Sequence, residues 1–133
     1  MNKANLIATL CLSAFLSLAP TFAGAQDAMT RTEIKRSDLA GTENTQVIMA
    51  TLEARPGAKL PRHIHHGDEF LYVIEGGTVE VPGKDPIAFK AGQAIHFPRG
   101  MPHGGFTVIG DKPLKALTVH VVDKDKPLVE LVD

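Results

Sequence analysis

Six histidines fall in a chain of 133 residues, and their spacing says more than their number. His63 and His65 are two apart, so on a β-strand both imidazoles leave the same face. Glu69 follows across the turn His66-Gly67-Asp68, at the head of the next strand, where its carboxylate can swing back towards the pair. His103 comes after Pro98-Arg99-Gly100-Met101-Pro102, and an antiparallel return can set it beside the other three. Three neutral imidazoles and a carboxylate make a mixed nitrogen and oxygen donor set for one divalent first-row metal: Fe, Mn, Ni, Cu or Zn. An ion that prefers five or six partners keeps open positions there for a substrate or dioxygen.

Other polar residues divide between chemistry and structure. His120 lies in Leu117-Thr118-Val119-His120-Val121-Val122, sharing a face with Thr118 and Val122. If that face lines the interior, His120 is a candidate catalytic group that gives or takes a proton near the metal. If not, it is an exposed strand histidine, the reading preferred from sequence. His96, two residues before Pro98, is a second catalytic candidate whose face is unassigned, and Glu69 itself can act as ligand and proton acceptor in turn. His66 reads as a solvated turn residue and Asp68 as a turn former. Tyr72 has opposite parity to Glu69, Leu71 and Val73 and should pack outside the cavity. Arg99 is placed to meet an anionic substrate at the mouth or, as loop arginines usually are, to be solvated.

The elements that position these groups read as strands. Apolar runs recur every eight to twelve residues between turn signals, the pattern of an antiparallel sandwich or barrel. Candidate strands are Thr45–Ala54, Arg62–His65, Glu69–Ile74, Thr78–Val81, Pro86–Phe89, Ala94–Phe97, Gly105–Val108 and Leu114–Val122. The 12 Gly and 9 Pro supply reversals between them. No segment reads as a convincing helix. Arg31–Leu39 and Pro127–Val132 read as edge strands or arms of the kind that pair with a second subunit. With aromatics at 5% and no Trp, any pocket is expected to have aliphatic walls.

These residues resemble the cupins. The first cupin motif, G-x5-H-x-H-x3-4-E-x6-G, is met by Gly57, His63, His65, Glu69 and Gly76. The second, G-x5-P-x-G-x2-H-x3-N, is met by Gly92, Pro98, Gly100 and His103, with Thr107 where Asn is usual. The resemblance spans roughly Thr45 to Val122. It implies an all-β fold, a single-domain antiparallel jelly-roll β-barrel, with the metal held inside by His63, His65, Glu69 and His103. It also implies a homodimer, since small cupins are frequently dimers.

The N-terminus has the layout of a secretory signal: Lys3, an apolar stretch from Leu6 to Leu18 too short to span a bilayer, then Ala23-Gly24-Ala25. Cleavage after Ala25 would leave 26–133 as the barrel domain, periplasmic or secreted, with no stable membrane insertion. It would also remove Cys11, the one cysteine, leaving a thiol-free protein suited to an oxidising compartment. The 14 Lys+Arg against 15 Asp+Glu give a net charge of −1, and nothing basic points to nucleic acid. The partner expected is a small-molecule substrate or ligand. The functional reading is a metal-dependent oxidoreductase, dioxygenase-like. A non-redox lyase or isomerase is the first alternative, and a protein that only binds a ligand or metal is the second.

Overall fold

Strand β10 (Leu114–Asp123) sets the plan of the molecule. Its residues alternate, and burial alternates with them: Leu114, Ala116, Thr118, His120 and Val122 are buried, while the residues between are half-buried. That is the signature of a central strand with one face on the core. The computed structural model describes residues 28–133, so the leader expected at 1–25, with Cys11, lies outside the described residues.

Ten further strands precede or follow β10 among the described residues: β1 (Met29–Asp38), β2 (Thr45–Ala54), β3 (Lys59–Leu60), β4 (His63–Ile64), β5 (Gly67–Glu75), β6 (Gly77–Glu80), β7 (Ile87–Phe89), β8 (Ala94–Phe97), β9 (Phe106–Ile109) and β11 (Glu130–Leu131). The large sheet runs β1-β2-β10-β5-β8 and the smaller one β3-β9-β6-β7, with a separate β4–β11 pair. All pairings are antiparallel. Ala54, Val73 and Leu114 from the large sheet meet Val79 and Val108 from the small one in a common core, with Met29, Leu71, Phe89 and Phe106 packed against it. The two sheets therefore close face to face into the all-β jelly roll. Burying each valine side chain contributes roughly 1.5–3 kcal/mol.

Register decides which residues look inward. One inner row crosses the large sheet as Arg36, Ile48, His120, Glu69 and Phe97 on β1, β2, β10, β5 and β8. The adjacent outer row is Met49, Val119, Phe70 and His96. A slip of one residue would exchange the two sets. Gly67 helps to hold this register, because a Cβ there would overlap the Val121 carbonyl oxygen and the Val122 Cα of β10.

Strands β2 and β8 have the bounds read from sequence. The expected strand over Arg62–His65 shrinks to His63–Ile64, and β3 was not foreseen, since two residues carry no readable period. The turn expected at 66–68 is strand from Gly67 onward, which makes Asp68 a strand residue. The two arms pair within their own chain, β1 with β2 and β11 with β4.

Candidate metal centre

Each of the four expected donors comes from a different local structure. His63 is on β4, in register with Leu131 of the tail and bridged to His103 by reciprocal backbone hydrogen bonds of 2.9 Å. His65 lies just beyond β4, and Glu69 is inward on β5. His63, His65 and Glu69 are all buried. The ring centroids of His63, His65 and His103 lie 4.3–4.9 Å apart. Glu69 Oε2 is 3.0 Å from His65 Nε2 and 2.9 Å from His103 Nε2.

Backbone carbonyls orient the rings. Nδ1 of His63 lies 2.8 Å from the Pro61 oxygen, Nδ1 of His103 lies 2.9 Å from the Met101 oxygen, and Nδ1 of His65 contacts the Leu128 oxygen. A carbonyl only accepts, so all three Nδ1 atoms carry the proton, and the neutral tautomers present bare Nε2 lone pairs. Lone pairs on His65 and His103 facing a carboxylate oxygen at about 3 Å repel unless a cation lies between them. Either extra protons or a metal ion must supply that positive charge. Ring orientation by a hydrogen bond from the second nitrogen is the arrangement that metal-ligating histidines use.

Gly104 contributes to it. Its φ of +78° favours glycine, and a Cβ would come within 2.5 Å of the Pro61 oxygen and 3.0 Å of His63 Nδ1. Donor atoms of His63, His65 and His103 lie within 4.8 Å of one another, as do those of His65, Glu69 and His120. Ligands about 2.0–2.2 Å from one ion are of order 3–4 Å apart, so this cluster could hold a metal.

Charge in the cluster is strongly coupled. Burial alone would raise the Glu69 pKa, but its contacts with His103 and His65, and the field of His120, hold it far below the usual carboxylate range. Burial pulls His103 down, yet the Glu69 carboxylate and the Met101 carbonyl outweigh it and leave its pKa raised. His63 is lowered by burial, reinforced by the neighbouring imidazoles. His120 is pushed down to about 4, chiefly by burial.

His120 corrects the sequence reading. It is buried, not exposed, because β10 is central and Glu69 is its register partner on β5. Its Nε2 is 3.5 Å from Glu69 Oε1, and its buried Nδ1 has no hydrogen-bond partner among the described residues. His96 goes the other way. It stands on the outer row, stacked on Phe70 at 4.5 Å and 3.3 Å from Asp68, so as a catalytic candidate it has no access to the cluster. Arg99 is turned from any mouth role by a bidentate bond to Asp123 at 2.7 and 2.9 Å. His66 is held by Glu130 at 2.6 Å. Tyr72 is outside, as its parity indicates.

A cavity of about 350 Å³ opens beside the cluster. Leu52, Leu71 and Val73 give it aliphatic walls, but Phe89, Phe97 and Phe106 line it as well. Phe97 stacks on His103 at 4.2 Å. The walls are mainly aliphatic, as composition suggests, but strand parity also points inward three of the four phenylalanines among the described residues. Arg31 of β1 and Leu128 and Val129 of the tail also line it, residues that motif spacing alone does not mark.

The cupin domain family matches residues 50–120, just over half of the chain, a span containing all five clustered residues. The chain belongs to the cupin family. No curated protein matches this cupin. Among solved structures it is similar to the DMSP lyase DddQ from Ruegeria pomeroyi DSS-3, with 19% identity and a TM-score of 0.58 over 83% of this chain. The match covers 54% of the lyase, so the chain spans about half of that protein's length. A cupin-2 domain from Rhodospirillum rubrum gives 19% identity and a TM-score of 0.57, over 80% of this chain and 66% of that one. The polyketide cyclase RemF from Streptomyces resistomycificus gives 25% identity and a TM-score of 0.53, over 80% of this chain and 72% of the cyclase.

Proposed function

We propose that this cupin holds one divalent transition metal on His63, His65, Glu69 and His103 and is an enzyme acting on a small organic molecule in the adjoining cavity. The observation that carries the reading is the set of three Nδ1–H groups donated to backbone carbonyls, which leaves three Nε2 atoms bare, those of His65 and His103 directly facing the carboxylate of Glu69. An ion bound there would act as a Lewis acid on a substrate oxygen. The chain supplies the proton handling. With its pKa near 4, His120 is neutral at pH 7, and the tautomer with hydrogen on Nε2 faces Glu69 and leaves Nδ1 as a base. The apolar walls exclude water and strengthen electrostatic interactions at the reacting atoms.

A buried base beside a Lewis-acid site suits proton transfer next to a carbonyl, so a lyase, isomerase or cyclase reaction is the reading the geometry supports best. The 25% identity to a polyketide cyclase leans the same way. The dioxygenase-like oxidoreductase is the second reading, favoured by the apolar cavity, which would admit dioxygen, and it requires Fe, Mn, Ni or Cu. Elemental analysis of untagged protein followed by an oxygen-electrode screen separates the two. Turnover without oxygen uptake, lost in His120→Ala, supports proton transfer, whereas oxygen consumption dependent on a redox-active ion overturns it.

We also propose export with cleavage after Ala25 and a homodimer formed through the outer face of the large sheet. Phe70, Tyr72, Ile74 and Met49 are exposed there, an apolar patch of the type that marks interfaces. Intact mass of protein from a periplasmic fraction tests the first, and sedimentation of wild type against Phe70→Glu tests the second.

A further inference from the structure

Arg31 lies on β1 in the inner row that continues through Leu52, Ala116 and Val73, and it lines the cavity with Leu52 and Val73. Among the described residues it is the one Arg or Lys side chain that does so. It makes no hydrogen bond or ion pair with another described residue. Glu33, two residues along the strand, is held instead by Arg36, through Nε to Oε1 at 3.1 Å and Nη2 to Oε2 at 2.8 Å. Glu69, the acidic residue lining the cavity, is engaged by histidines.

Arg31 is an exposed residue, so its guanidinium stays charged and hydrated at the edge of the cavity, beside apolar walls, where a matching anion can pair with it. Among the described residues no other Arg or Lys side chain lines the cavity to share a dianion with Arg31, and its planar fork fits a carboxylate bidentately. A phosphate dianion would leave excess negative charge. At the roughly 30 Å³ that a water molecule occupies in the liquid, the cavity has room for about a dozen non-hydrogen atoms.

We infer that Arg31 binds the carboxylate of a small amphipathic monocarboxylate, whose apolar body lies along Leu52, Val73 and the phenylalanines and whose reactive end lies at the histidine cluster. The inference rests on the proposed function for the reactive end alone. Arg31 is then a specificity-determining residue, reached by neither cupin motif.

The test measures binding with and without metal. In chelator-treated protein, where no ion competes for a carboxylate, octanoate and octanamide are titrated by calorimetry into wild type, Arg31→Gln and Arg31→Lys. Wild type should prefer octanoate by about tenfold, the size expected of one partly exposed charge-assisted contact. Arg31→Gln should erase that preference and Arg31→Lys retain part of it. Equal binding of the two probes, no octanoate binding at millimolar concentration, or a preference that survives in Arg31→Gln would overturn the inference. In parallel, zinc-treated protein is titrated with the monohydroxamate of suberic acid, which joins a metal-binding end to a carboxylate. If zinc gives it no added affinity while the Arg31-dependent preference persists, the metal reading fails and the Arg31 inference stands.

Discussion

Removing the imidazole of His120 should flatten the acid dependence of folding in the metal-free protein. The buried ring resists protonation until about pH 4, whereas an unfolded histidine takes up its proton near 6.5. Between those values the unfolded chain binds more protons, so stability falls as the pH falls. The contribution of His120 is fully present above about 6.5 and is lost progressively towards 4. Integrating that uptake from pH 7 to pH 5 gives a loss of about 2 kcal/mol. His103, whose pKa is raised, works in the opposite direction, so the absolute curve mixes several groups. The difference between wild type and His120→Leu removes what the two proteins share and reads the ring together with its coupling to Glu69. Urea unfolding in the presence of a chelator, read by circular dichroism at half-unit pH intervals, gives that difference, equivalent to a relative midpoint shift of about 1 M or more. Parallel stability curves for the two proteins would refute the reasoning, because they would mean that His120 titrates alike in both states.

Four other substitutions probe the geometry around it. Gly104→Ala combines a left-handed backbone, worth about 1–2 kcal/mol, with a Cβ against the Pro61 oxygen and His63 Nδ1, so metal affinity should fall at least about tenfold in a chelator competition. Gly67→Ala drives a methyl into the backbone of Val121 and Val122 at the centre of the sheet; it should cost at least about 3 kcal/mol and lower Tm by about 10 °C or more in a thermal melt. His96→Ala should leave metal content unchanged, because the ring stacks on Phe70 outside the barrel, while His103→Ala should lose the ion, both read by elemental analysis.

The central part of the fold was legible because β2, β8 and β10 alternate in burial and are framed by Gly or Pro, at Pro56-Gly57 after β2, Pro98 after β8 and Pro113 before β10. Likewise His63, His65, Glu69 and His103 could be picked out, since two-residue spacing on a strand fixes their common face and the motif residues frame the return. The orientation of His120 was not legible: parity groups it with Thr118 and Val122 but cannot say which face is inside until β10 is known to be central. His96 was hidden for the same reason, its face being set by pairing with Phe70 of β5. Arg31 and the carbonyls of Pro61, Met101 and Leu128 escape a reading of side-chain types. One reaches the cavity through strand register, and the others act through backbone that any residue could supply.

The most direct test of the account is to titrate zinc into metal-free protein while recording long-range proton–nitrogen correlations of the histidine rings. One ion per chain should bind, with His63, His65 and His103 keeping hydrogen on Nδ1 and shifting at Nε2, and with His66 and His96 unmoved. Absence of a stoichiometric ion, or ligation through Nδ1 of any of the three, would contradict it.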